Sequence, residues 1–374
     1  MPFMKKLWFI LPALLLAVTA AAENRVFRTS GAPDTVTLDN GLIKLSFAPE
    51  LNGSLIKWEY PAQKRSLIGP LNYRVEKVDL LPTRVFASRN GFRCRVWESN
   101  RKITDAMQVI SLTATPDDGC KLTMSAPITG GMELALTQNL HLRQESTVLD
   151  GEIVLVNSQK FSGNYSLWFN AVLSLSDKID PVLVPARSNV SRIGKLGMIE
   201  VKADGILSEL HEGNRNMFFA ALRPWIAKAA VNTPGTAVLK IDEPDTGKMV
   251  LYTHKSANLH TMEILAPAKK LDAKESFRRK FQLFFFPSLT SVREICGSFG
   301  VDIRNGCLEI ESAIPAAPSI WNICGKDHPV PELKPGKLYK IKLASAPGAN
   351  FRIKINGREF VLPGRLSYDM KKVY

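Results

Sequence analysis

The residues of this sequence best suited to bind a polar ligand are an alternating aromatic and amide pair, Trp168 and Asn170, in the stretch YSLWFNAVLSL. Successive side chains of a strand point to opposite faces, so these two share one face while Phe169 takes the other. An indole stacks on the apolar C–H face of a pyranose, and a neighbouring amide binds its hydroxyl groups. The pattern predicts sugar binding, but a core tryptophan beside a hydrogen-bonded asparagine would produce the same pattern.

Ionisable side chains cluster around the stretch NLHTMEIL, where His260 lies three residues before Glu263. On an ideal strand this spacing puts the imidazole and the carboxylate on opposite faces, so only a bulge or bend would bring them together. Arg65, in PAQKRSLIG, is expected in a loop, where it either reaches a ligand cleft or is simply exposed. Three other histidines are expected to be structural: His141, His211 and His254.

Motifs for cofactor, metal or nucleophile chemistry are absent from the sequence. It contains no GxSxG elbow, no Walker loop, no dinucleotide fingerprint and no HExxH zinc motif. Its cysteines show neither a CxxC pair nor a spacing typical of zinc ligands. We therefore expect no cofactor and no metal, whereas a pair of catalytic carboxylates cannot be tested by sequence spacing.

The elements that would position these side chains are strands. Alternation of period two, Asn-Gly and Asp-Gly turn signals, and β-branched residues recur along the chain, with no sustained helical period. This pattern predicts an all-β fold, a large antiparallel β-sandwich over residues 23–288. The strand-like runs are VTLDNGLIKLSF, AMQVISLTATPDDGCKLTMSAP, ALTQNLHLRQESTVLDGEIVLVNS and GTAVLKIDEPDTGKMVLYT.

The pattern changes after the apolar run FFFPS, which suggests a small C-terminal β module over residues 289–374. Its first segment, LTSVREICGSFG, is expected to form a short helix, and the proline-rich AIPAAPS is expected to act as a linker. Alternation then resumes, and Asn356-Gly357 indicates a tight hairpin. Because the junction suggests separate cores, we expect the sandwich to fold without the module.

The N-terminus resembles a secretory signal peptide over residues 1–22. Lys5 and Lys6 precede an apolar stretch from Leu7 to Val18, and small residues follow at Ala20–Ala22. The apolar stretch is shorter than the roughly 20 residues that span a bilayer, and no later segment is long enough. We therefore expect an exported protein, periplasmic or secreted, without a transmembrane segment after cleavage.

The chain is strongly basic, with a formal net charge of +14 over 374 residues. Such a balance favours acidic polysaccharides, anionic membrane surfaces or nucleic acid through long-range attraction. No nucleic-acid motif supports the last of these, and export argues against it. An acidic polysaccharide remains a candidate partner, but scattered lysines and arginines also fit a merely solvated basic surface.

Five cysteines in an exported chain suggest disulfides. Cys94 and Cys120 lie in strand-like stretches and are expected to pair. Two of the remaining three are expected to form a second bridge: Cys296, Cys307 and Cys324. The alternative is that all five are reduced and buried.

Three stretches together resemble the galactose mutarotase-like superfamily across roughly residues 34–287. NGLIKLSFAPELNGSLIKWEY is similar to its first strands, and STVLDGEIVLVNS with YSLWFNAVLSL is similar to its strand, turn and aromatic-Asn strand. NLHTMEILAPAKKLDAKESFRRKFQLFFF is similar to its closing segment. The resemblance implies a supersandwich with a sugar-facing concave sheet, and leaves the C-terminal module unexplained.

The resemblance also implies roles for individual residues. Family enzymes interconvert anomers with a histidine acid and a glutamate base, because ring opening moves one proton off the anomeric hydroxyl and delivers another to the ring oxygen. Glu263 falls at the position of the base. Aligning Trp168-Phe169-Asn170 with the family's aromatic-Phe-Asn run places Ser166 where the acid would be, so His260 is the nearest substitute.

Three functions remain open on this basis. The first is an exported carbohydrate-binding protein, with Trp168, Asn170 and Arg65 contacting the sugar, that lacks turnover. The second is a carbohydrate isomerase, similar to aldose 1-epimerases, or a polysaccharide-processing enzyme that uses Glu263 with His260. The third is a structural envelope-assembly module, since similar supersandwich domains occur as periplasmic parts of membrane insertases.

Overall fold

The computed structural model describes residues 23–31, 33–70, 73–77, 84–88, 90–97, 106–128, 133–188, 190–193, 197–201, 203–209, 215–256, 259–343 and 351–366. The expected signal peptide and His211 lie outside these residues. Strands dominate the described chain, and its named helical segments are short 3₁₀ turns at Pro49–Leu51, Pro61–Gln63 and Thr246–Lys248. The prediction of an all-β fold is confirmed. No helix in the described ranges has the length and apolar character needed to cross a membrane.

The described residues form thirty-five named strands. The first seventeen are β1 (Arg25–Thr29), β2 (Thr35–Asp39), β3 (Lys44–Ala48), β4 (Ser54–Tyr60), β5 (Arg65–Ser66), β6 (Tyr73–Lys77), β7 (Arg84–Ser88), β8 (Gly91–Val96), β9 (Gln108–Thr115), β10 (Gly119–Ile128), β11 (Leu134–Leu142), β12 (Val148–Asn157), β13 (Gly163–Tyr165), β14 (Leu167–Val172), β15 (Val182–Ala186), β16 (Val190–Ile193) and β17 (Gly197–Glu200). The others are β18 (Gly205–Glu209), β19 (Arg215–Ala220), β20 (Trp225–Ala229), β21 (Thr236–Ile241), β22 (Val250–Ser256), β23 (Leu259–His260), β24 (Met262–Leu265), β25 (Lys269–Leu271), β26 (Ser276–Phe286), β27 (Glu294–Cys296), β28 (Phe299–Arg304), β29 (Cys307–Ser312), β30 (Ser319–Ile323), β31 (Lys326–Val330), β32 (Leu338–Lys342), β33 (Phe351–Ile355), β34 (Arg358–Leu362) and β35 (Arg365–Leu366).

Two large sheets make up the sandwich. The site sheet has thirteen strands in the order β1-β2-β3-β4-β8-β14-β24-β22-β19-β16-β17, with β5 beside β4 and β23 beside β22. The back sheet has ten strands in the order β35-β18-β15-β20-β21-β26-β12-β11-β10-β9. The runs β21 and β22 thus belong to different sheets, so residues 242–249 cross over between the sheets.

The main core lies between the two sheets and is built from the apolar face of each. Phe281 of the back sheet contacts Phe92 and Phe169 of the site sheet, with ring centroids 5.0 and 5.6 Å apart. Gly151 on the adjoining strand makes room for this ring, because a Cβ there would lie 2.1 Å from its Cζ. The alternation read from the sequence therefore corresponds to real inward-facing side chains.

The C-terminal module consists of two four-stranded sheets, β27-β28-β29-β32 and β31-β30-β33-β34, around a core of its own. The Asn356-Gly357 hairpin is confirmed, since Ile355 pairs directly with Arg358 and both turn residues have positive φ, 47° and 79°. The prediction of a short helix in LTSVREICGSFG is wrong. Glu294–Cys296 forms β27, because pairing with β28 buries the side chains of this segment. The segment AIPAAPS lies within the module, between β29 and β30.

A second apolar cluster joins the module to the back sheet. It combines Trp225, Phe284 and Phe286 of the sandwich with Ile295 and other residues of the module. The Trp225 indole also donates a 3.0 Å hydrogen bond to Glu294 in β27. Finally, β35 pairs in parallel with β18, so the end of the described chain extends the back sheet. The module therefore has its own core but shares an interface with the sandwich.

All five cysteines are free thiols, so the two expected disulfides are not found. Cys94 lies on β8 of the site sheet, whereas Cys120 lies on β10 of the back sheet, where its thiol approaches the backbone carbonyl oxygens of Arg25 and Asp39. Sequence proximity suggested neighbouring strands, but the two strands belong to different sheets.

Candidate functional site

The candidate site lies on the face of the site sheet that points away from the core, which we call the site face. Four adjacent strands, β8, β14, β24 and β22, form its centre. Asn170 pairs directly with Arg93 on one side and with Glu263 on the other, and Glu263 pairs with Tyr252. Directly opposed residues project to the same face of a sheet. These four side chains therefore form one row across the strands.

Glu263 is held by several hydrogen-bond donors. The Trp168 indole donates from Nε1 to its Oε2 at 2.5 Å. Thr261 and Asn170 also donate to this carboxylate, and the Arg93 guanidinium lies close enough to interact with its charge. We call Arg93, Trp168, Asn170, Thr261 and Glu263 the Glu263 cluster. It links three strands through one buried carboxylate.

The protonation of Glu263 follows from its burial. Only 2% of the residue is exposed. Burial raises the pKa of its carboxyl from 4.5 to about 7, while the three hydrogen bonds and the Arg93 charge act in the opposite direction without cancelling the effect. Near neutral pH this group is poised to accept or to release a proton, which is the requirement for a general base or acid.

An aromatic surface adjoins the Glu263 cluster. Trp97 stands edge-on to Trp168, with ring centroids 5.5 Å apart and an interplanar angle of 89°. The Arg93 guanidinium lies 6.0 Å from the centre of the Trp168 ring. Trp168 is 9% exposed and Trp97 is 39% exposed, so the pair presents an indole to the outside. Such a surface can stack on the apolar face of a sugar.

A second group of side chains lies beside the cluster on β22 and β19. Tyr252 stacks on Phe218 with centroids 4.5 Å apart, and its hydroxyl donates to Asn216 Oδ1 at 2.8 Å. The His254 Nδ1 bonds to the same Asn216 oxygen. Burial lowers the pKa of His254, so its imidazole is neutral at pH 7. Two positions along β22 from Tyr252, His254 shares the site face with Glu263.

His260 is not brought to Glu263. The pairing of β22 with β23 and β24 keeps one register, so no bulge separates His260 from Glu263 and their side chains point to opposite faces. The His260 Nδ1 lies 3.2 Å from the carbonyl oxygen of Asp180. Its own carbonyl accepts a 2.5 Å hydrogen bond from the buried ammonium of Lys228. The structure thus places His260 on the core side of the sheet.

Arg65 is also kept apart from the Glu263 cluster. Its guanidinium donates to the backbone carbonyls of Leu175, at 3.0 Å from Nε, and of Pro234, at 2.7 Å. It lies 5.6 Å from the centre of the Phe285 ring. The residue lines a separate open groove on the molecule. Of the predicted site residues, Trp168, Asn170 and Glu263 come together, whereas His260 and Arg65 lie elsewhere.

Sequence reasoning missed Arg93, Thr261, Tyr252 and His254. Arg93 stands in FRCRV, a strand-like stretch whose alternation puts its two arginines on one face. The pairing of Arg93 with Asn170 joins segments 77 residues apart, which alternation does not specify. His254 lies across a short hairpin from Thr261, to which its backbone is hydrogen bonded. Reading that hairpin register would have placed His254 rather than His260 beside Glu263.

Two further observations concern the predicted chemistry. Ser166, where the superfamily resemblance expects the acid, is buried, and its carbonyl accepts a 2.8 Å hydrogen bond from the Trp97 backbone. His141 contacts the Asp118 carboxylate at 3.2 Å and lies on β11 of the back sheet, whereas the Glu263 cluster lies on the site sheet. Among the described residues no group of three or more histidines, cysteines or carboxylates could hold a metal ion.

Comparison with known proteins gives structural likeness only. No family model matches the sequence, and no curated protein matches it. Among solved structures, the proposed mutarotase YeaD from Salmonella typhimurium is similar with a TM-score of 0.52 and 9% identity, covering 70% of this chain and 93% of that one. A galactose mutarotase-like protein from Lactobacillus casei has a TM-score of 0.43 and 14% identity, covering 67% and 99%.

A TPR-domain-containing protein from Parabacteroides distasonis is also similar, with a TM-score of 0.53 and 12% identity. The alignment covers 71% of this chain but only 49% of that one, so the chain spans about half of that protein's length. At these identities the likeness concerns the fold, and it agrees with the resemblance seen in the sequence. The chain therefore has a mutarotase-like β-sandwich fold.

Proposed function

We propose that this is an exported carbohydrate-binding protein whose ligand lies on the site face against Trp97 and Trp168. One observation carries the proposal: the Trp168 indole is fixed by its hydrogen bond to buried Glu263, and the partly exposed Trp97 stands edge-on beside it. A platform that is locked in place loses little freedom when a ligand stacks on it. The mutarotase-like fold supports a carbohydrate-related role at the level of the fold.

Polar groups next to the platform supply what a sugar needs beyond stacking. Arg93 and Asn170 lie on one side of Glu263 in the row, and Tyr252 with His254 continues the polar surface on its other side. Sugar sites combine an apolar face with a few fixed donors and acceptors, since each hydroxyl both donates and accepts. The row offers guanidinium, amide, carboxylate and phenol groups, and the neighbouring His254 adds an imidazole.

The export part of the proposal rests on the sequence. Lys5, Lys6 and the apolar stretch that follows them have the order of a signal peptide. Fractionation of cells expressing the full chain, with mass spectrometry of the mature N-terminus, tests it. A mature protein beginning near residue 23 in an exported fraction would agree with the proposal. An uncleaved chain retained in the cytoplasm would contradict it.

A second candidate is a carbohydrate isomerase, favoured by the Glu263 pKa of about 7. Anomer exchange needs a base and an acid on the same face, and neutral His254 shares that face with Glu263. Against it, Ser166 stands where the superfamily resemblance expects the histidine acid, and Glu263 already accepts hydrogen bonds from three side chains. We therefore rank binding above turnover.

The test is a glycan array followed by calorimetry on the hits, with the full mature chain. Stacking on one ring is worth about 0.5–1.5 kcal/mol, so Trp97→Ala should weaken binding about 2- to 12-fold. Phe161→Ala removes an exposed ring elsewhere (64% exposed) and is the matched control. The proposal fails if no glycan binds, which would favour an envelope-assembly role, or if Trp97→Ala leaves the affinity unchanged.

A further inference from the structure

An open groove of about 680 Å³ lies at the end of the central strands of the site sheet. Its walls come from β4, from the turn that follows β4, and from the segment after β14. The charged and hydroxyl side chains in its lining are those of Lys57, Lys64, Arg65, Ser66, Ser174 and Ser176. No carboxylate is among the described lining residues, but Glu59 pairs with Lys57 at 3.0 Å and Asp180 accepts a hydrogen bond from Ser176. The described lining therefore carries three cations and three hydroxyls, and two neighbouring carboxylates contact it.

A bulge in β4 aims one of these cations into the groove. Leu55 and Trp58 have fully buried side chains although they are three residues apart. The pairing of β3 with β4 shifts by one residue between them, so Ile56 and Lys57 both turn away from the core. Without the extra residue, strict alternation would direct one of the two inward. The bulge thus places Lys57 on the site face.

Hydrogen bonds of Arg65 fix the wall of the groove, whereas the two lysine side chains of its lining are exposed. Arg65 is bound to the Leu175 and Pro234 carbonyls and so holds the wall. Lys57 pairs with Glu59 at 3.0 Å, yet the Lys57 side chain is 55% exposed. Lys64 is exposed in the turn after β4. Exposed ammonium groups on a fixed wall can attract a negatively charged ligand.

The groove continues the proposed sugar site along one strand. β14 carries Trp168 and Asn170 and leads directly into the segment that contributes Ser174 to the groove. Six residues of extended chain span about 20 Å. A single sugar cannot cover that distance, whereas a chain of several sugars can.

We propose that the ligand is an acidic oligosaccharide lying along β14, with one sugar against Trp97 and Trp168 and an anionic substituent in the groove near Lys57 and Lys64. This inference rests on the proposed carbohydrate binding and adds the charge and the length of the ligand. The described lining contains three cationic side chains, of which Lys57 and Lys64 are exposed, and this supports an anion there. Cleavage of the expected signal peptide removes Lys5 and Lys6 and lowers the formal net charge from +14 to +12, which would still steer such a ligand towards the protein.

The first test is an array of glycans in matched sets, each backbone being present in neutral, carboxylated and sulfated forms and at several lengths. The inference expects hits confined to acidic oligosaccharides, and the two acidic arms identify the carboxylate or the sulfate as the source of charge. Equal binding of neutral and acidic forms would overturn the inference and leave the proposed function intact. Binding of no glycan at all would overturn both.

The second test measures the affinity of an acidic hit for Lys57→Gln, Lys64→Gln and the double variant. Exposed charge pairs are worth about 0.2–1 kcal/mol, so each substitution should weaken binding by up to about 5-fold, with less effect in high salt. Lys270→Gln is the matched control: the Lys270 side chain is 68% exposed, against 55% for Lys57, and is paired with Asp272 at 3.5 Å. Lys270 is not among the residues that line the groove. Circular dichroism verifies folding. Unchanged affinity of the folded double variant would overturn the inference.

Discussion

Glu263→Gln should change how the stability of the protein depends on pH. The folded-state pKa of Glu263 is raised by burial from 4.5 to about 7, so the folded chain holds this proton more tightly than the unfolded chain. Such a group contributes stability that is fully present below pH 4.5 and is lost as the pH rises through 7. At 1.36 kcal/mol for each tenfold change in proton affinity, the loss is about 3 kcal/mol. Glutamine cannot titrate, so the variant lacks this loss.

The assay is urea unfolding of wild type and Glu263→Gln at pH 4.5 and pH 8, followed by tryptophan fluorescence and circular dichroism. From pH 4.5 to pH 8, the free energy of unfolding of the variant minus that of wild type should increase by about 3 kcal/mol. Any constant cost of the substitution cancels in this comparison. In Trp168→Phe, a donor that favours the charged carboxylate is lost, so the wild-type pH dependence should become steeper. The reasoning is refuted if the difference in unfolding free energy between variant and wild type is the same at both pH values, or if it favours wild type more at pH 8 than at pH 4.5.

Three other outcomes are expected. Because a serine replaces the expected acid, the protein should give little or no acceleration of glucose or galactose mutarotation; polarimetry that shows acceleration abolished by Glu263→Gln would instead establish turnover. Gly151→Ala should destabilise the sandwich by about 1–3 kcal/mol through contact with the Phe281 ring, whereas Gly364→Ala, with open space around it, should leave the thermal midpoint unchanged. Removal of residues 289–374 should uncover Phe286 and its neighbours, so the truncated sandwich should bind a hydrophobic dye and melt at a lower temperature; a truncated chain with the midpoint of wild type would show that the interface does not contribute to stability.

Local patterns in the sequence predicted the strands well because the period of alternation is a property of neighbouring residues. The pairing of Asn356-Gly357 in a two-residue hairpin needs only four residues to specify it. The segment around Glu294 was misread, since its tendency to form a turn of helix is overridden by pairing with β28 and by contact with Trp225. Local propensity loses to tertiary burial at this position.

The site was only partly accessible from sequence because its members are brought together across long separations. Trp168 and Glu263 are 95 residues apart, and only the superfamily resemblance suggested that they belong together. Arg93 joins them through pairing between strands, which no local pattern specifies. Strand parity did separate His260 from Glu263 correctly, and the unbroken register of β22 with β23 and β24 is the reason.

The parallel pairing of β35 with β18 has a consequence for how the chain is made. Without β35, β18 would be the edge strand of the back sheet, with its backbone donors and acceptors unpaired. Exposed edges of this kind are templates for pairing with other chains. Residues 365 and 366 are synthesised about 160 residues after β18, so a nascent or prematurely terminated chain carries an open edge until its end emerges. Protection from aggregation during biosynthesis therefore depends on the last described strand.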